Sequence, residues 1–317
     1  MSETNVQARP DAAVETVLRD ELTHGDAVIG TIAPILRHLL ANDDHSLFSD
    51  EIIARLRGMS AHVATQLLDA LDDAGAGFAT RDYAADLVQP LQQRLAEQAA
   101  FLAHLHALAV EWQLTERLQA RLAIDPALSP LLQSLIASTD AGQASGGMAL
   151  LAAQVRFAQA QRRMQVALGE LPPELFHLAL EAMRTVDAPA EAIERALATL
   201  RANYDEGRSR IGLMTRLVMG LGGGASAALS ISHAGVGLFL TALALGAGID
   251  RDLAALSTNE TQLARLALAL SAAGARIEMV EEQFLAIHPD IALPEGFEQL
   301  GADRAAALLA RAVAAGG

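Results

Sequence analysis

Alanine and leucine carry most of the apolar surface of this chain, and that choice commits it to helices. Both residues rank high in helix propensity, because neither loses much side-chain freedom on entering a helix. β-Branched runs and period-two alternation, from which a sheet is built, are scarce. Apolar residues make up 52% of the 317 positions but aromatics only 3%, so the interior has to form from slim rods packed closely together. The expected fold class is all-α.

The same composition excludes several chemistries. Cysteine is absent, which removes disulfides, thiolate zinc sites, iron–sulfur clusters and cysteine nucleophiles. All 23 basic residues are arginine, so neither a Schiff-base lysine nor the lysine of a phosphate loop is available. A net charge of −15 repels phosphate backbones and anionic lipid surfaces, and no nucleic-acid partner is expected. The first residues, Met1-Ser2-Glu3-Thr4-Asn5, lack the basic-then-apolar order of a secretory signal, which makes the cytoplasm the expected compartment.

Apolar spacing and turn residues divide the chain into short helices. Residues 1–9 read as a disordered lead. Helices are predicted from Asp11 to about His24 and from Asp26 to Asn42, where Asn42-Asp43-Asp44 forms a polar break. Ser49 suits an N-cap ahead of Asp50 and Glu51, and another helix follows Ser60. The run Asp72-Asp73-Ala74-Gly75-Ala76-Gly77 interrupts all periodicity and suggests a boundary between an N-terminal helical subdomain, residues 1–80, and a main helical domain, residues 81–317. Beyond it, nearly continuous helix runs from Ala84 to Ile124, a polar loop spans Thr139–Gly147, and Met148–Val166 is one helix. Pro172-Pro173 and Pro189 mark helix starts, and Asn203–Gly207 marks a break. Further helices fit 207–221, 225–247, 258–273 and 276–288, with a C-terminal helix after Gly301. This cadence suits either an irregular helical array or a degenerate α-solenoid of helix pairs resembling HEAT-type repeats.

No aspartate, glutamate or arginine lies between Arg216 and Asp250, an interval of 33 residues. A membrane span needs about 20, but eight glycines, including Gly222-Gly223-Gly224, would break such a helix in two. A buried core helix around Val236–Leu245 is expected instead, with no stable membrane insertion. Gly220 and Gly224, four apart, permit close helix approach. With His233 and Phe239 they are the candidates for helix packing or for lining an apolar pocket at 217–249.

Reactive constellations are not assembled. The glycines at 220–224 lack the preceding strand of a dinucleotide fingerprint. Glu21 and His24 have the E-x-x-H spacing of a di-metal site, which needs a second such motif and two further inward glutamates. His104 and His106 are two apart on a helix and point to different faces. No G-x-S-x-G occurs. Neither a metal nor another cofactor is expected, and no catalytic residue is assigned. The most distinctive polar pattern is Arg156, Gln159 and Arg163, three and four apart on one helix face, with Arg162 beside them. In an acidic chain this stripe suits a carboxylate, a phosphate group or an acidic partner helix; pairing with Glu170, Glu174 or the acids of a neighbouring helix is the competing explanation.

Three segments, His106–Ser138, Leu150–Met183 and Leu238–Gly274, together resemble an uncharacterised family of alphaproteobacterial helical proteins, a domain of unknown function. The resemblance covers about residues 85–290 and implies a helical fold and a cytoplasmic bacterial origin, with no activity attached. The function expected is that of a non-enzymatic scaffold or regulatory protein binding another protein through a helical groove. A helical small-molecule or lipid-binding protein is the alternative, and an enzyme using a metal or an acid/base pair the third. The alanine-rich C-terminal helix is the candidate seam for a homodimer.

Overall fold

The computed structural model describes residues 10–41, 50–77 and 81–316, and every regular element among them is helical. In order these are α1 (Pro10–Ala41), α2 (Asp50–Asp73), α3 (Arg81–Ala96), α4 (Ala99–Leu122), α5 (Pro130–Ile136), α6 (Ala141–Arg162) and α7 (Pro173–Met183). There follow α8 (Ala190–Asn203), α9 (Arg210–Gly220), α10 (Ile231–Ala247), α11 (Arg251–Leu256), α12 (Leu263–Ala272), α13 (Ile277–Ile287) and α14 (Ala302–Gly316). The lead at 1–9, the break at Asn42–Asp44 and the Ser49 cap lie outside the described residues.

Two apolar cores share one wall. In the first, Leu36 of α1 joins α2, α3, α7 and α8; in the second, Val14, Leu18 and Leu22 of α1 join α5, α6 and α9–α14. Helix α4 belongs to both. Phe101, Leu102, Leu105, Leu108 and Ala109 face the first core, while Ala107, Val110, Leu114 and Leu118 face the second. A helix that is apolar all round belongs at the centre of a domain, and α4 holds that place beside α10. The division between cores does not fall at residue 80, because α1 and α4 run through both. Nor does nearest-neighbour stacking describe the contacts: α1 packs on α12 and α14, α2 on α8, and α4 on α11. The array is irregular.

Several expected breaks are continuous helix, and glycine explains most of them. α1 runs unbroken through Gly25, where a Cβ would sit 2.7 Å from Gln262 Oε1, so that glycine serves a close contact with a distant segment. α2 passes through Ser60, whose hydroxyl donates back to Leu56 O at 2.7 Å. The expected loop at Thr139–Gly147 is instead the start of α6, capped by Asp140 Oδ1, which accepts from Gln143 N at 2.8 Å. Gly147 lies against α5, where a Cβ would meet Ile136 Cγ1 at 3.0 Å. The stretch Ala84–Ile124 divides after Ala96, and α11 was not anticipated.

The uncharged interval forms the end of α9, a 3-10 run over Gly222–Leu229 whose glycines are exposed and whose Ala228 and Leu229 are buried, and the mostly buried α10. Gly235, at φ 73° and ψ 163°, kinks α10 near its start and sits 3.1 Å (as Cβ) from Ser129 Cβ. Among the described residues no single helix is long and apolar enough to cross a membrane; Gly222–Leu229 and Ile231–Ala247 pass that test only together, and they bend by 110° at the break between them.

Candidate functional site

Helix α6 is buried on one side through Leu150, Ala153, Gln154, Ala158 and Gln161. On the other side Gly142, Ser145, Ala149, Ala152, Arg156, Gln159 and Arg163 are all exposed. Their spacing of three and four puts them on one continuous stripe. Met148, 54% exposed, and Val155, 40% exposed, flank it. The N-terminal half of this face is therefore small and apolar, and the C-terminal half is cationic.

A groove of about 430 Å³ opens beside the small-residue half, between α6 and α9. Leu135, Leu213 and Leu217 form its apolar wall, Gly142, Gly146 and Ala149 its α6 side, and Arg216 stands at its edge. The Arg216 guanidinium donates to Gly207 O, which fixes it near the groove. Met219 on the same helix is 69% exposed.

The C-terminal end of α6 is held by buried polar contacts. Arg55 of α2, 6% exposed, donates through Nη1 to Gln161 O at 2.8 Å and pairs with Glu51 and Glu116. A Cβ at Gly58 would lie 2.7 Å from Met164 O, so α2 approaches this end as closely as backbone allows. Trp112 is buried beneath it, with Phe157 edge-on at 6.2 Å and the guanidiniums of Arg55 and Arg162 at 6.0 and 5.9 Å from its ring centroid.

Beneath the site lies a charge cluster that sequence reading missed. Glu111 of α4, 1% exposed, accepts from both Arg210 Nη1 and Nη2 at 2.8 and 2.9 Å, and from Arg251 Nη2 at 3.0 and 3.1 Å. Gln154 of α6 accepts from Arg210 at 3.2 Å, and Arg210 also stacks on Phe157 at 3.5 Å. Burial raises the Glu111 carboxyl, but the two guanidiniums overcome that and hold it well below the usual carboxylate range. The cluster ties α4, α6, α9 and α11 together, and with them the orientation of the groove. One turn pair away, His104 Nδ1 meets Asp252 Oδ2 at 2.8 Å and adds a second tie to α11. The available signal was the single carboxylate inside the buried run Phe101–Thr115.

The predicted residues separate into two groups. Arg156, Gln159, Arg162 and Arg163 are all exposed at the end of α6, and among the described residues none of these arginines forms an ion pair. Among the described residues no ion pair joins Glu170 to these arginines; Glu170 Oε2 instead accepts from Arg210 N at 2.6 Å. Gly220 and Gly224 do not support close helix packing, because a Cβ at either would meet open space. Glycines that do make such close approaches include Gly25, Gly58, Gly147, Gly237 and Gly246. Phe239 is fully buried in the core and His233 half-buried, and neither borders the groove; of the 217–249 segment only Leu217 and Gly220 do.

The chain carries a second E-x-x-H that sequence reading passed over, Glu174 and His177, but both motifs face outward on separate helices. Among the described residues no three histidine, aspartate or glutamate side chains gather as a metal site. No protein-family model, curated protein or solved structure matches this chain.

Proposed function

We propose that this chain is a non-enzymatic interaction protein of the bacterial cytoplasm that docks a helix of a partner protein on the α6 face and the α6–α9 groove. The setting rests on composition and on the resemblance over residues 85–290. The docking reading rests on one observation: the α6 stripe is uncovered from Gly142 to Arg163, with apolar, small and cationic positions in sequence along it. Small residues let a partner helix approach, the leucine wall receives its apolar side chains, and unpaired guanidiniums select for carboxylates. In a molecule of net charge −15 this is an island of positive potential, which favours an acidic partner.

An amphipathic helical peptide carrying glutamates on its polar face tests the reading. Binding to the purified chain should weaken by at least about tenfold in the Arg156→Glu, Arg163→Glu double variant and with added salt. Equal binding by both proteins, or none to either, overturns it. A lipid or apolar small molecule retained in the groove through purification would favour the ligand-binding alternative.

A further inference from the structure

The molecule carries its own acidic counterpart to the α6 face. Helix α13 exposes Glu278, Glu281 and Glu282, and none of them is ion-paired among the described residues. On the same helix Leu285 is 52% exposed, beside a shallow apolar groove of about 270 Å³ that Glu295 and Glu298 also border. The two faces lie on different elements and have opposite charge and matching apolar content. Their spacing also agrees. Glu278 and Leu285 are seven residues apart, as are Arg156 and Ala149, so each pair spans about 10 Å of helix. Laid antiparallel, α13 sets Leu285 against the small-residue half of α6 and Glu278 against Arg156.

We propose that the α6–α9 face of one copy receives the α13 face of a second copy, so that the free chain masks its own docking surface by self-association. This rests on the docking reading above and adds a regulator to it: a partner must displace the second copy, and dilution or salt exposes the site. Because the two faces differ, the contact is heterologous; it closes into a pair when both exchanges form at once, and otherwise extends.

Sedimentation and light scattering across the micromolar to millimolar range read this out. The wild type should associate with rising concentration and dissociate with salt. Arg156→Glu and Glu278→Arg, the pair this register opposes, should each be monomeric alone with unchanged helical circular dichroism. An equimolar mixture of the two variants restores the associated species, because each supplies the wild-type face the other lacks, and the doubly reversed contact also regains opposite charges. A wild type that stays monomeric throughout overturns the inference, as does an oligomer indifferent to both reversals. Acidic-peptide binding to such a monomer leaves the docking reading standing and removes only the self-masking; loss of both removes both.

Discussion

Replacing Glu111 with leucine would leave Arg210 and Arg251 facing one another without their carboxylate in the interior. An uncompensated buried charge of this kind costs roughly 3–5 kcal/mol, and denaturant titration should show the loss. A change under about 1 kcal/mol would mean that the cluster is more solvated than its burial indicates. A second buried group gives the fold a pH dependence. Burial pushes the His106 imidazole down to about 4 from 6.5. Above the higher value both folded and unfolded chains are neutral at this position and stability is flat. As pH falls, the unfolded chain takes up the proton first, so stability declines between those two values by on the order of 3 kcal/mol. Burial chiefly also lowers His288, which acts in the same direction. Unfolding midpoints measured across this window should show the decline, and His106→Leu should flatten part of it; an unchanged slope in that variant assigns the effect elsewhere.

Among the elements, helix starts were legible wherever local chemistry decided them. Pro173, Pro189 and Gly301 announce α7, α8 and α14, because a missing amide or a flexible residue acts on its own few neighbours. The failures share a cause. In a chain built from alanine and leucine, glycine either ends a helix or lets another helix touch it, and the choice depends on residues remote in sequence. Gly25 answers to Gln262, and Gly147 to Ile136. The α6 stripe was visible because helical spacing alone puts Arg156, Gln159 and Arg163 together. The groove was not, since half of it belongs to α9. This separates two kinds of glycine by experiment. Gly237→Ala places a methyl 2.9 Å from both Gln154 Nε2 and Met214 Sδ and should destabilise the fold by about 1–3 kcal/mol. Gly220→Ala, helical and facing open space, should be neutral or stabilising by up to about 1 kcal/mol. Thermal midpoints moving in the same direction for both would show that the distinction is wrong.

At the scale of the molecule, α4 makes the two cores mechanically one. A fragment of residues 81–317 would lack α2, which covers Phe101, Leu102 and Leu105 of α4 on the first-core side. That fragment should unfold broadly and be digested rapidly by protease, whereas the whole chain should unfold in one transition. A fragment with a sharp transition and wild-type protease resistance would restore a boundary near residue 80. The irregular packing also explains why composition alone foretold the helices but not their partners: alanine and leucine suit any helix face, so the pairing of α1 with α12 and α14 leaves no local trace.

The chain has one tryptophan, and it lies under the cationic end of the α6 face with Arg162 above its ring. Whatever carboxylate draws that guanidinium away alters the field across the indole. Occupancy of the surface should thus be visible as a shift in intrinsic emission, from an unlabelled sample, with Arg162→Ala as the blank.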